Sequence, residues 1–171
     1  MKTEFRKLNA DEIEVRVAKI TDKGAQLLLY KDARCDMNIL DETVGAMNWQ
    51  RAHSRDNANC TVLIYDEDRG MWIGKEDTGT ESNTEAEKGL ASDSFKRACV
   101  NWGIGRELYT APFIWITADK INIDSSSGKR RTYDRFAVEK IVYDGNRIAG
   151  LSIRNMSLAG APRVFVWQRS A

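Results

Sequence analysis

Residues 84–109, TEAEKGLASDSFKRACVNWGIGRELY, restrict the fold more than any other stretch. The pattern predicts a helix that opens on a capping box, Thr84 with Glu87, and stops at Gly103-Ile104-Gly105. Ala91, Phe95, Ala98 and Trp102 fall in one narrow angular sector, so a sheet must lie on that side. Lys96 and Arg97 project away from the stripe, with Gly89 and Ser92 near Lys96. A small, cationic face admits close approach of a polyanion backbone. The competing reading is a solvated face whose cations pair with Asp93 at i, i+3 and i+4.

The remaining chain supplies the sheet. NWQRAHSRD, CTVLIYDEDRG and MWIGKED (48–77) read as a three-stranded antiparallel meander with DEDRG as a turn. GAQLLLY (24–30) reads as a strand, and FAVEKIVYDGNRIAGLSIRN (136–155) as a hairpin turning at Asp144-Gly145. RVFVWQ (163–168) is a final strand. NADEIEVRVAKI (9–20) predicts a first helix, capped by Asn9 with Glu12. DMNILDETVGAM (36–47) predicts a second, with Met37, Leu40, Val44 and Met47 on its buried face. Pro112 marks irregular chain after the long helix. The expected class is α+β: a curved antiparallel sheet of meander and hairpins packed against a long amphipathic helix. One domain is expected over 1–171, with a C-terminal hairpin extension from about 129 behind the exposed loop DSSSGKRR (124–131).

Composition excludes several classes. No apolar run approaches the ~20 residues of a membrane span, and the charged start MKTEFRKLNADE shows no secretory pattern; a cytoplasmic protein is expected. Cys35, Cys60 and Cys99 are dispersed and His53 has no ligand-spaced partner, so core thiols are expected, with no metal and no cofactor. No Walker loop and no Ser/His/Asp set is visible. Net charge is only +1, but residues 129–171 hold nine Lys/Arg and three Asp/Glu, leaving −5 on residues 1–128. Such asymmetry predicts a local positive surface.

Trp49, Arg51, His53 and Arg55 alternate, which puts them on one face of a strand. Aromatic plus basic is the composition of a single-strand nucleic-acid groove; it is also that of an edge strand kept soluble by arginine. Arg106 arrives just past the helix end. The acidic turns, with Asp66, Glu67, Asp68, Glu76 and Asp77, leave a second class open, a metal-dependent nucleic-acid hydrolase. A third is a structural oligomer whose basic face serves subunit contacts.

KGLASDSFKRACVNWGIGRELY resembles the signature helix of the Rad fifty-two type single-strand annealing proteins, which include phage and prophage recombination proteins of the Sak type. The matching positions are Lys88, Ala91, Asp93, Phe95, Lys96, Arg97, Ala98, Trp102, Gly103 and Leu108. YKDARCDMNILDETVGAMNWQRAHS (30–54) is similar to the family's strand, helix and G-x-x-x-W lead into the meander, here Gly45 and Trp49. The resemblance implies a non-enzymatic protein of DNA recombination and repair that anneals single-stranded DNA without ATP. It implies an oligomeric ring or filament with the backbone held in a shared basic groove. By position, Lys96 and Arg97 would be the phosphate contacts, with Lys88 on the same helix. Arg51 and Arg55 would line the other wall. Where the family has a further basic residue, this chain has Val100. Where it has an Arg near the second helix start, the chain has Cys35, with Arg34 adjacent as the substitute. A phage protein of this kind would act in the bacterial cytoplasm beside an exonuclease.

Overall fold

The computed structural model describes residues 4–80 and 86–170, with the backbone alone for 86–88. The Thr84–Glu87 capping box and the Lys88 side chain therefore lie outside the described residues. In chain order the elements are β1 (Ile13–Thr21), β2 (Gly24–Lys31), α1 (Ala33–Val44), β3 (Trp49–Ser54), β4 (Asn59–Asp66) and β5 (Met71–Thr78). There follow α2 (Ala86–Trp102), β6 (Ile114–Thr117), β7 (Phe136–Asp144), β8 (Arg147–Asn155) and β9 (Arg163–Gln168). Their contacts gather into two compact units, one of Met1–Lys7 with Lys31–Arg106, the other of Leu8–Tyr30 with Glu107–Ala171.

In the first unit β3, β4 and β5 form the expected antiparallel meander. Its register pairs Trp49 with Ile64, Arg51 with Val62 and His53 with Cys60, and continues to Ile73, Lys75 and Asp77 on β5. Residues directly opposite share a face, so these nine side chains point one way, and α2 lies over them. Cys60, Val62 and Ile64 are buried against Leu90, Phe95, Ala98 and Cys99 of α2. α1 packs on α2 and β3 and contributes Cys35, Ile39 and Leu40. The helix stop is the one the two glycines predict. Gly103, at φ +106°, donates to Val100 O (3.0 Å) and Ile104 donates to Cys99 O (3.1 Å), which satisfies two orphan carbonyls.

The second unit is a six-stranded sheet in the order β6-β2-β1-β7-β8-β9, curled until its outer strands β6 and β9 touch. Leu8, Ile13, Leu27, Ile114, Ile116, Ile148, Leu151 and Ile153 fill its interior. The β7–β8 hairpin turns at Gly145, whose φ of +54° a side chain rarely adopts.

Three expectations change. Residues 9–20 are not a helix: Asn9 and Glu12 cap only one 3-10 turn, with Asn9 N donating to Glu12 Oε2 (2.8 Å), and Ile13–Thr21 is a strand. Ile13, Val15, Val17 and Ile20 are β-branched and stiff, so pairing with β7 wins over a local cap. The buried face of α1 is Cys35, Asp36, Ile39 and Leu40; Met47 is 87% exposed, because Gly45 ends the helix before it. A short strand, β6, stands just after Pro112 in what reads as irregular chain.

Gly79 shows how closely β5 delivers the chain to α2. A Cβ there would lie 2.7 Å from Ser94 N and 3.0 Å from Leu90 O, both backbone atoms of the helix. Gly79→Ala is expected to destabilise the protein by about 1–3 kcal/mol, read as a lower urea midpoint with an unchanged slope; an unchanged midpoint would refute this packing.

Candidate nucleic-acid interface

The middle of α2 is fastened by a buried ion pair. Lys31, the last residue of β2, donates to Asp36 Oδ1 on α1; the two residues are 5% and 0% exposed. Lys31 Nζ also reaches the Lys96 carbonyl at 3.3 Å. Asp36 Oδ2 is buried without a hydrogen-bond partner. Burial pushes the Asp36 carboxyl up to about 6, against the opposing pull of Lys31 and, more weakly, Lys96. The Lys96 side chain thus lies within electrostatic reach of Asp32 and Asp36. It is half-buried, and its ammonium forms no ion pair or hydrogen bond among the described residues.

Arg97 leaves the helix toward β5. Its Nε is buried, 3.6 Å from Asp77 Oδ1 and without a hydrogen bond, while 43% of the side chain is exposed. The exposed part is therefore the rest of the side chain. The two cations do not share a partner, and Asp93, the expected counterion, instead accepts from Thr80 N (2.8 Å).

The alternating residues of β3 face α2. Trp49 stacks on Phe95 with centroids 6.1 Å apart, and its Nε1 donates to Asp41 (2.6 Å). The Arg51 guanidinium lies 4.7 Å over the same Phe95 ring while the residue remains exposed. His53 Nδ1 is 3.5 Å from Ser94 Oγ, and burial, with Arg51 nearby, lowers its pKa below the usual imidazole value. Arg55 departs from this set: β3 ends at Ser54, and Arg55, Asp56 and Asn57 form a turn with φ of 50°, 51° and 68°. Left-handed backbone costs roughly 1–2 kcal/mol per ordinary residue. Two bonds hold the turn in place, Ser94 Oγ to Asn57 O (2.9 Å) and Gly79 N to Ala58 O (2.7 Å). Arg55 is exposed at this fixed tip.

Arg106 is a helix cap. Its Nε and Nη2 donate to Val100 O (3.0 and 2.8 Å), and Nη2 also to Asn101 O (2.9 Å). Lys75 joins it, donating to Asn101 O (2.9 Å) with its ammonium 4.5 Å over the Trp102 ring. Two cations at a helix C-terminus offset the dipole. Trp102 is half-buried and donates to Val62 O (3.0 Å). Arg34 is exposed and bridges back to Asp32 (3.0 Å) within its own turn. The sequence reading missed Lys31, Asp36, Lys75 and Asn101; only the meander register could have placed Lys75 beside the helix.

Asp66, Glu76 and Asp77, three carboxylates of the hydrolase reading, are committed locally. Asp66 accepts from Asp68 N, Arg69 N and Arg69 Nη1 (3.0–3.2 Å). Glu76 holds Asn59 and Thr61, and Asp77 holds Asn101. The three cysteines are buried and reduced, and burial pushes the Cys60 thiol up to about 11. No helix among the described residues is long and apolar enough to cross a membrane.

Residues 57–125 match the family model of the Rad52/22 family double-strand break repair protein. The matched span runs from the β3–β4 turn through β4, β5 and α2 to the loop beyond β6. It contains Lys96 and Arg97 and is consistent with a Rad52-type single-strand annealing protein. In general terms the family stands for DNA repair, recombination and strand annealing, and its members are not known as enzymes. No curated protein and no solved structure matches the chain.

Two outcomes check this electrostatic layout. Asp36 holds its proton more tightly folded, at about 6, than at its ordinary 3.8. Through this group alone, stability therefore rises as pH falls through 6. Between pH 7 and pH 5 the wild type should gain about 1 kcal/mol relative to Asp36→Asn, measured by chemical unfolding of both; a constant difference would contradict the burial. Arg106→Ala should lower stability by about 1 kcal/mol, and a gain in the same assay would show that the cap is not formed.

Proposed function

We propose that the chain anneals complementary single strands of DNA without ATP, binding their phosphates along α2. The observation that carries this reading is the Rad52/22 match over β4, β5 and α2, the helix that presents Lys96 and Arg97. Lys96 has an uncommitted ammonium fastened from below through its own carbonyl, and Arg97 exposes the outer part of a guanidinium whose stem is anchored. Both are pre-positioned, which lowers the ordering cost of gripping a flexible strand. Arg51 and Arg55 are exposed on the adjacent hairpin and supply the second wall of the path. Lys88 and Arg34 are peripheral contributors, whereas Arg106 acts through the helix end.

Few contacts per copy make a single protomer a weak binder. Each neutralised phosphate on a single strand contributes roughly 0.7 to the slope of log affinity against log salt. Many copies along one strand sum these contacts, so the working form is a homo-oligomer, ring or filament. The family setting fits a recombination protein of bacteriophage or prophage working in the bacterial cytoplasm, with an exonuclease supplying single strands.

The test is annealing of labelled complementary oligonucleotides in EDTA without nucleotide. The wild type should accelerate annealing, with affinity falling steeply with salt. Lys96→Ala with Arg97→Ala should lose at least tenfold in affinity and reduce the salt slope by about 1.4, two contacts' worth, with an unchanged melting profile. Shortened strands on addition of magnesium, or a double variant with the wild-type slope, would sink the reading.

A further inference from the structure

Three cations rest on aromatic rings among the described residues. Arg16 lies 5.0 Å over Tyr30 and is paired with Glu14. Lys75 lies 4.5 Å over Trp102 and donates to Asn101 O. Arg51 lies 4.7 Å over Phe95 and differs from both, because its guanidinium forms no hydrogen bond or ion pair among the described residues. The ring beneath it sets its position instead. Phe95 is fully buried, and Trp49, two residues before Arg51 on β3, stacks on the same ring at 6.1 Å. β3 is an edge strand of the meander, and Arg51 stays exposed there.

A guanidinium is planar and weakly hydrated, and it stacks on π systems through its faces. Phe95 covers one side of Arg51 and leaves the rest of the group to solvent. A nucleobase is a flat π system of the kind that such a plane accepts, and single-strand recognition uses arginine planes in this way. Stacking reads no hydrogen-bond pattern, so it tolerates every base. The place suits the ligand. Phe95 is followed directly by Lys96, whose ammonium is uncommitted, and a base extends sideways from its phosphate. A strand whose phosphates follow α2 can therefore lay a base on the β3 side of the helix. A phosphate would approach Arg51 differently, edge-on, where the N–H donors lie.

We propose that Arg51, backed by Phe95, is a shelf for a nucleobase of the bound strand, whereas Lys96 and Arg97 take its phosphates. The inference rests on the reading of α2 as a single-strand DNA path and divides the contacts of that path into two kinds. The phosphate share of the affinity falls as salt rises, because counterions compete for it. The stacking share needs the plane of the guanidinium and the ring of the base, and its loss leaves the salt slope unchanged. Lysine cannot replace arginine here, since a compact ammonium has the charge without the plane.

The experiment compares two fluorescent oligomers of equal length by anisotropy at low salt: oligo-dT, and the same backbone built from abasic tetrahydrofuran units. Wild type should bind oligo-dT about tenfold or more tightly than the abasic strand. Arg51→Lys should weaken oligo-dT binding about tenfold and change abasic binding by less than about twofold, with the wild-type salt slope. Lys96→Ala with Arg97→Ala should instead weaken both oligomers by the same factor. Should Arg51→Lys lose its melting transition, Arg51→Met takes its place, read by the same ratio of the two affinities. A wild type that does not distinguish the oligomers, a variant that weakens both alike, or one that weakens neither overturns the shelf and leaves the DNA reading in place. A wild type that binds neither oligomer overturns both.

Discussion

The buried pair of Lys31 and Asp36 is the interaction on which the first unit depends. Two charges removed from water must find each other, and losing one partner of such a pair costs about 3–5 kcal/mol. Here the pair joins the end of β2 to the first turn of α1, and the lysine continues to the carbonyl of Lys96. One ammonium thereby fixes the height of α2 against α1. With α2 at that height, Phe95 sits under Trp49 and Arg51, Ser94 reaches the strained turn at Asn57, and Asn101 meets the β5 backbone.

Most of the cations around α2 are occupied in building it. Arg106 and Lys75 close its C-terminus, Arg51 rests on an aromatic ring, and Arg97 leans toward Asp77. Structural cations are spent on carbonyls, whose partial charges they offset, while the carboxylates nearest the helix, Asp77 and Asp93, are taken up by Asn101 and Thr80.

Legibility in the sequence varied by the range of the physics. The meander, the β7–β8 hairpin and the stop of α2 were all readable, because alternation, an Asp-Gly turn and Gly-x-Gly act within a few residues. The Asn9–Glu12 box was also read correctly as a cap, but a cap decides only one turn, and the β-branched run behind it followed its sheet partner. Alternation alone puts Arg55 on the strand; the turn begins at this residue because Ser94, 39 positions away, supplies the bond that holds it. Arg106 looked like a free cation for the same reason: nothing local shows that it folds back on Val100.

The amino-acid order by itself determined the α+β class, the strand–strand–strand–helix core and the position of the Lys96-Arg97 pair off the buried stripe. Each follows from periodicity and turn chemistry, which need no distant partner. Only the tertiary structure decided which cations remain available, which face of α1 is buried, and that a lysine and an aspartate would be sealed in the core. Those outcomes are set by burial and by pairing across long sequence separations, where the energy of a charge depends on its surroundings more than on its neighbours in the chain.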